Sequence, residues 1–401
     1  MKRTALVVAL AALAACSPTK IDAVTAGDAR VTPGKPSSDA GADARTVPSG
    51  PAYHTSGNNL VDPSGAILHV RAVTWYGLDQ DFYPHGLEAR TIADVLGDMK
   101  TLGFNTVRMT WSSGMLATDA RVQSINYDVN PDLAGITSPL GILDRVVAEA
   151  KTQGLHVILS RRRASAGAPT KLWYDGSYSE DDFVNDWAFL AAHYVNDTTI
   201  LGCDLESDLR DPATWGGTDV TTDWRRAAER AGNAVLAANP NVLVFVEGVE
   251  TFDGMSYWRG GNLRGVETLP VTLTIPDRLV YATQDFPSTA TDTPPLGGVP
   301  SWFTVAAYPN NLPAVWDANW GYVFERNIAP VFLMGFGTRY ASDSDKAWLA
   351  ALVAYVQKYD LDFAYFALNQ ETADVGGIYT NYPSGSENDA LITALKPLLV
   401  Q

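Results

Sequence analysis

The sequence predicts an α/β fold, a single-domain (β/α)8 TIM barrel over residues 53–401 that starts with a short N-terminal β-hairpin. Two observations predict it. Apolar, strand-like segments alternate with segments of helical spacing, which indicates right-handed βαβ units and a parallel sheet. The length of 53–401 is also ordinary for one such barrel. Eight candidate strands are enough to close the sheet on itself.

The elements follow one another along the chain with short connections. The turn at 62–65 separates two short strand-like pieces, which form the hairpin. The predicted barrel strands are 67–75, 104–110, 155–160, 200–205, 242–247, 279–282, 330–334 and 362–366. The predicted helices are 91–102, 140–153, 181–194, 222–238, 315–327, 344–358 and a last one through 391–398.

The segment 200–216 draws attention because a buried-type strand runs directly into polar residues. Its strand is apolar except for Gly202 and Asp204. The polar residues that follow are Glu206, Ser207, Asp208, Arg210 and Asp211. Ligand-binding and catalytic groups of a barrel lie at the carboxyl ends of its strands, so this segment predicts a functional site. The alternative is a solvated acidic loop.

The N-terminus resembles a bacterial lipoprotein signal. Lys2 and Arg3 precede the apolar run 5–15, which ends in Leu13-Ala14-Ala15-Cys16. We therefore expect residues 1–15 to be removed and Cys16 to carry lipid, so that the protein is exported and anchored at the cell envelope (outer membrane, periplasmic or surface face). Residues 16–52 contain few large apolar side chains and predict a flexible tether.

Charge and cysteine content narrow the function further. The formal net charge is −16, and it becomes −18 without Lys2 and Arg3, which disfavours nucleic acid as a partner. Cys16 and Cys203 are the two cysteines, and Cys203 lies in an apolar run typical of a packed core thiol. No metal-type spacing or phosphate-binding loop is evident, so no metal or cofactor is expected, and we expect a monomer.

Several segments together resemble glycoside hydrolase family 5, the cellulase-type retaining glycosidases. They are LGFNTVRMTWS (102–112), NPDLAGITSPLGILDRVV (130–147), GLHVILSRRR (154–163), LWYDGSYSEDDFVNDW (172–187), GCDLESDLRDPATWG (202–216), DWRRAAERAGNAVLAANPNVLVFVEGVE (223–250), PVFLMGFGTRY (330–340) and FALNQETADVGGI (366–378). The resemblance implies a (β/α)8 barrel with an acid/base glutamate after strand four and a nucleophilic glutamate after strand seven.

Both catalytic positions depart from that family pattern. Where the family reads Asn-Glu-Pro, this chain reads Ser207-Asp208-Leu209, so the acid/base position holds a shorter carboxylate. Where the family reads Gly-Glu-Phe-Gly, this chain has Gly335 in place of the nucleophilic glutamate. Removing a nucleophile typically lowers kcat by several orders of magnitude, so we expect catalysis to be lost or nearly lost.

The same site differs at other positions that the resemblance assigns to ligand binding. Arg108 is unchanged, whereas Ser160 and Arg162 replace an aspartate and a histidine of the strand-three segment. In the later segments Gln284 replaces a histidine, Phe286 a tyrosine and Phe366 a tryptophan. The expected ligand-binding residues are Arg108, Arg162, Ser207, Gln284, Phe286 and Phe366. We therefore predict a non-catalytic lipoprotein that binds an oligo- or polysaccharide in the groove at the barrel mouth.

Two other functions stay open. The chain is an active O-glycosyl hydrolase of the β-glucan type if Asp208 works with a relocated carboxylate, for which Asp285 and Glu206 are the candidates, while Glu247 is expected to brace the barrel rim. An inverting pair needs its carboxyl groups about 6.5–9.5 Å apart. The chain is instead a structural or partner-binding surface lipoprotein if side chains plug the groove, which apolar Met334 and Phe366 favour.

Two further sets of residues carry expectations about the groove. We expect two or three rings to face it from the aromatic set Trp75, Tyr76, Trp111, Trp173, Tyr174, Trp215, Trp258, Trp302 and Trp316, and the others to pack in the core. The basic run Arg161, Arg162 and Arg163 is expected to form salt bridges with Glu206, Asp208 and Asp211. An anionic glycan is the alternative partner of these arginines.

Overall fold

A small antiparallel sheet opens the computed structural model, which describes residues 52–167, 170–290, 298–369, 375–380, 382–383 and 385–399. Its strands are β1 (His54–Ser56), β2 (Asn59–Val61) and β3 (Ile67–Leu68). The sequence predicted a two-stranded hairpin here. The sheet has three strands, because β3 pairs with β2. The predicted signal peptide, Cys16 and residues 16–51 of the tether lie outside the described residues.

Eight parallel strands then close into the predicted (β/α)8 barrel. They are β4 (Arg71–Trp75), β5 (Thr106–Ser112), β6 (His156–Arg163), β7 (Ile200–Asp204), β8 (Leu243–Glu247), β11 (Leu279–Gln284), β12 (Val331–Phe336) and β13 (Asp362–Tyr365), and a small hairpin of β9 (Thr251–Phe252) and β10 (Met255–Ser256) follows β8. Consecutive barrel strands pair, and β13 closes the ring onto β4. The predicted first strand, 67–75, was too long because β3 belongs to the small sheet.

The helices surround the barrel. They are α1 (Leu78–Asp81), α2 (Ile92–Thr101), α3 (Pro139–Gln153), α4 (Glu180–His193), α5 (Trp224–Ala238), α6 (Leu312–Trp316), α7 (Tyr322–Glu325), α8 (Asp343–Tyr359) and α9 (Asp389–Leu395). Side-chain caps fix several starts: Thr91 and Asp94 form a capping box on α2, as do Ser179 and Asp182 on α4. The predicted helix 315–327 is interrupted by a π-helical turn, Asp317–Gly321, between α6 and α7.

Apolar side chains fill the interior of the barrel. Residues from alternate positions of the strands meet there, including Phe245, Phe332 and Met334. Tyr53, directly before β1, and Leu60 of β2 join the same cluster. Met334 is therefore part of the barrel core, which removes one of the two apolar residues taken as a hint of a plugged groove. A larger cluster lies between the strands and the helices and includes Cys203, whose pKa burial raises, as expected for a core thiol.

In the described ranges no helix has the length and apolarity needed to cross a membrane.

Candidate functional site at the carboxyl ends of the barrel strands

One arginine and two carboxylates form the base of the site. Arg108 on β5 donates from Nη2 to Oδ2 of Asp204 on β7 at 2.8 Å, and the same nitrogen lies 3.4 Å from Oε1 of Glu247 on β8. Ser160 on β6 donates to the same Asp204 oxygen at 2.7 Å. All four side chains are buried. Burial, with Asp204 adding repulsion, raises the pKa of Glu247 well above its usual range, while Arg108 opposes the shift.

Asp208 lies directly above this base, where the chain leaves β7. Its Oδ2 accepts from Nη2 of Arg162 and its Oδ1 accepts from Nε2 of Gln284, each at 3.0 Å. Its backbone N–H donates to Oε2 of Glu247 at 3.2 Å. The residue has φ of +64°, a left-handed conformation that is uncommon outside glycine and is concentrated at functional sites.

The surroundings of Asp208 favour its ionised form. Burial alone would raise its pKa, but Arg162 and Arg210, together with the hydrogen bond from Gln284, hold the pKa well below its usual range. A carboxylate that stays ionised has no proton to give to a leaving oxygen. The acid half of an acid/base role is therefore disfavoured at this position.

Gly335 lies in a bulge of β12 and faces Gln284. The strand pairing places Met334 and Gly335 opposite a single residue on each neighbouring strand, so the chain is re-aimed at this point. A Cβ atom at position 335 would lie 2.9 Å from Oε1 and 3.2 Å from Cδ of Gln284. The glutamine amide thus occupies the space into which a side chain at 335 would extend.

Gln284 also ties the site together. Its Nε2 donates to Oε2 of Glu247 at 2.7 Å and to Oδ1 of Asp208 at 3.0 Å. Since one nitrogen contacts both oxygens, the carboxyl groups of Asp208 and Glu247 are held closer together than the roughly 6.5 Å that the narrowest inverting pair requires. The predicted site residues Asp208, Gln284 and Gly335 are therefore in direct contact.

Phe366, directly after β13, and Arg162, on β6, form one side of the site. The Arg162 guanidinium lies 4.9 Å from the ring centre of Phe366 and 5.7 Å from that of Tyr76, at distances typical of cation–π contacts. Phe286 packs edge-on against Phe366, with 6.5 Å between ring centres. Ser207 is buried, and its N–H donates to the Arg161 carbonyl at 3.0 Å. All six predicted ligand-binding residues are buried, and two of them, Arg162 and Gln284, contact the Asp208 carboxylate.

The two carboxylates considered as relocated partners of Asp208 form other contacts in this structure. Asp285 points away from the mouth, because Trp316 and Trp348 donate to its oxygens at 3.0 and 2.5 Å and Tyr257 also donates to it. Burial raises its pKa to about 7. Glu206 forms a buried ion pair with Arg161.

The basic run is paired largely as predicted. The ion pairs of Arg161 with Glu206 and of Arg162 with Asp208 are confirmed. Arg163 instead pairs with Asp79, with 2.7 Å between Nε and Oδ2, because the β6 strand carries it to the side on which α1 lies. Asp211 takes part in none of these pairs.

Most of the aromatic set belongs to the core. Seven of the nine side chains are buried, and Tyr174 and Trp302 are partly exposed. Two residues of the site were not predicted from the sequence. They are Asp204 and Glu247, and Glu247 was expected only to brace the barrel rim. Both had a signal, since each is a lone carboxylate in or at the end of an apolar strand.

A closed (β/α)8 barrel with charged side chains gathered at the carboxyl ends of its strands defines the class of this protein. Comparison with known proteins identifies the family as well as the fold. The model of the family "Cellulase (glycosyl hydrolase family 5)" matches residues 67–372. Over 312 residues the chain is 40% identical to an endoglucanase of Paenibacillus polymyxa, covering 76% of this chain and 77% of that one. It is 36% identical over 321 residues to the major extracellular endoglucanase of Xanthomonas campestris pv. campestris, covering 78% of this chain and 64% of that one.

The solved structures to which this chain is similar include cellulases of the same kind. The endocellulase of Pyrococcus horikoshii, solved as a glutamate-to-alanine variant with cellotetraose, superposes with a TM-score of 0.80 at 29% identity, covering 88% of this chain and all of that one. The catalytic domain of the Xanthomonas endoglucanase gives 0.78 at 33% identity, covering 86% and 99%. This chain belongs to glycoside hydrolase family 5 and is endoglucanase-like within it.

Proposed function

We propose that this protein binds a cellulose-type oligosaccharide at the carboxyl end of its barrel without hydrolysing it. The observation that carries the proposal is the contact between Gly335 and Gln284. Position 335 has no carboxylate, and the glutamine side chain lies where one would extend. The amide nitrogen of the same glutamine lies between the carboxyl groups of Asp208 and Glu247 and donates a hydrogen bond to each.

The physical argument against turnover has two parts. A retaining glycosidase needs one carboxylate to attack the sugar and a second carboxyl group to protonate the leaving oxygen. Gly335 cannot attack, and Arg162 and Arg210 favour the ionised form of Asp208. Loss of a nucleophile alone typically lowers kcat by roughly 10⁴- to 10⁶-fold.

The relatives support retained binding. The Pyrococcus horikoshii endocellulase forms a complex with cellotetraose in each of two variants in which a glutamate is replaced by alanine. In that protein, sugar binding therefore survives the loss of either carboxylate. Here the mouth keeps a guanidinium group in Arg162 and an apolar ring in Phe366, and a polar group beside an apolar ring is typical of a small-molecule site.

Isothermal titration of the full chain with cellotetraose tests the binding. We expect a measurable affinity that falls roughly two- to twelvefold in Phe366→Leu, because an aromatic contact is worth about 0.5–1.5 kcal/mol beyond area burial. Phe189→Leu is the matched control, because Phe189 is an exposed ring on α4, with half of its surface accessible. Heat signals that are absent, or equally reduced in both variants, would contradict binding at the barrel mouth.

Hydrolysis by Asp208 and Glu247 is the second candidate. The observation that favours it is electrostatic: the pKa of Glu247 is raised and that of Asp208 is lowered, and two carboxyl groups shifted apart are typical of acid and base partners. This mechanism requires Gln284 to leave the space between them. It predicts turnover that disappears in Glu247→Gln and that declines with rising pH as the Glu247 proton is lost.

A further inference from the structure

Three arginines converge around Asp208 at the carboxyl end of the barrel. Arg162 contacts the Asp208 carboxylate directly at 3.0 Å. Arg210 follows two residues later in the chain. Arg259, from the segment after β10, is held beside Arg210, because the N–H of the residue after Arg259 donates at 3.0 Å to the carbonyl of the residue before Arg210. Two separate loops thus bring guanidinium groups to one place.

Arg210 and Arg259 have charge and hydrogen-bonding capacity that the described residues leave unused. Within those residues neither forms an ion pair, and the Nε of each is buried without a hydrogen-bond partner. Two carboxylates attract Arg210 without forming an ion pair with it: Asp208 and Glu250. Glu250 also accepts a hydrogen bond from the backbone N–H of residue 211 at 3.0 Å. Among the described residues, no ion pair therefore neutralises the charges of Arg210 and Arg259, in a chain whose formal net charge is −16.

The other buried arginines of the barrel differ from Arg210 and Arg259 in ion pairing. Arg108, Arg161 and Arg163 each lie against a buried carboxylate. Burial lowers the pKa of Arg210, and neighbouring Arg259 lowers it further, although Asp208 opposes the change. A half-buried guanidinium under like-charge repulsion is a costly arrangement that a bound anion would relieve.

We propose that Arg210 and Arg259, with Arg162, bind the carboxylate of a uronic acid residue in the glycan that this protein takes up at its barrel mouth. The inference rests on the proposed carbohydrate binding and adds the class of sugar. Guanidinium groups bind carboxylates through two parallel N–H···O bonds. The acidic surface elsewhere opposes this only weakly, because charges beyond about 8–10 Å are screened at physiological ionic strength.

The test compares two ligands that differ only at C6. Cellotetraose and the β-1,4-linked tetramer of glucuronic acid are titrated separately into the full-length protein at low ionic strength. We expect the uronate to bind at least about tenfold more tightly, since one hydrogen bond to a charged group is worth roughly that factor. Added sodium chloride should reduce this preference, which is a readout that needs no variant.

Substitutions then locate the preference. In Arg210→Gln and Arg259→Gln we expect the ratio of the two affinities to fall toward one, with unfolding in urea checked for each. Arg145→Gln is the matched control, because Arg145 is exposed on α3 and pairs with Asp132 at 2.8 Å, and it should keep the wild-type ratio.

The possible outcomes separate the two proposals. Equal affinity for both tetramers, or a preference that salt and the two arginine variants leave unchanged, overturns the uronate inference alone. If neither tetramer binds, the uronate inference and the proposed carbohydrate binding both fail. Cleavage of either tetramer contradicts only the non-catalytic part of the proposed function.

Discussion

Substituting Gly335 by alanine tests whether Gln284 fills the place of the missing nucleophile. The new Cβ would lie 2.9 Å from Oε1 and 3.3 Å from Cγ of Gln284. The amide is not free to withdraw, because its nitrogen donates to Asp208 and Glu247. We therefore expect Gly335→Ala to lower the free energy of unfolding by about 1–3 kcal/mol, the usual cost of overpacking or of a broken buried hydrogen bond.

The same substitution should behave differently without the glutamine. In a Gln284→Ala background the space is open, and Gly335→Ala should be neutral or stabilising by roughly 0.5 kcal/mol through reduced freedom of the unfolded chain. The coupling free energy is then about 1–3 kcal/mol, measured by urea unfolding of all four proteins at equal m-value. Gly176→Ala, where a Cβ meets no atom within 4 Å, is the control. A coupling near zero would refute the placement of Gln284 over Gly335.

Three further outcomes follow from other contacts. Gly260→Ala should cost at least about 2 kcal/mol more than Gly254→Ala, because both have left-handed φ but only the first places a Cβ 2.1 Å from Oε2 of Glu247; equal costs in urea unfolding would contradict the site geometry. Asp285→Asn should flatten the pH dependence of stability. The folded pKa of about 7 exceeds the unfolded value of about 3.9, so the native state holds a proton that the unfolded chain has released, and wild-type stability falls as pH rises from about 4 to 7. A variant with the wild-type slope, measured by urea unfolding across that range, would argue against the shift. Glu206→Gln should cost about 3–5 kcal/mol, because it leaves a buried guanidinium without its carboxylate, and a loss below about 1 kcal/mol by thermal unfolding would contradict the buried ion pair.

The barrel could be predicted because the spacing of apolar residues along the sequence shows which side chains each strand or helix buries. Apolar runs alternating with helical spacing predicted the eight barrel strands and their order, and the family segments placed Asp208 shortly after β7 and Gly335 within β12. The pairing of Arg161 and Arg162 with nearby carboxylates also follows from charge and proximity. Each of these inferences depends on local sequence and on the parallel order of the strands.

The predictions that were not met concern residues beyond the ends of regular strands, or contacts between distant parts of the chain. Glu206 and Asp208 are two residues apart and would share a face of a strand, but β7 ends at Asp204 and Asp208 adopts a left-handed conformation, so the rule of alternation no longer applies. The bulge that aims position 335 at Gln284 requires two strands to be compared in register, which one segment cannot reveal. The contacts of Glu247 likewise join residues far apart in the chain.

Product analysis of cellotetraose incubated with the wild-type protein tests the central claim most directly. Anion-exchange chromatography would separate glucose, cellobiose and cellotriose from the substrate after prolonged incubation, with an Asp208→Asn, Glu247→Gln double variant prepared in parallel to reveal contaminating hydrolase. We predict the same product level, at background, for both proteins. Shorter sugars formed by the wild type and absent from the double variant would contradict the account.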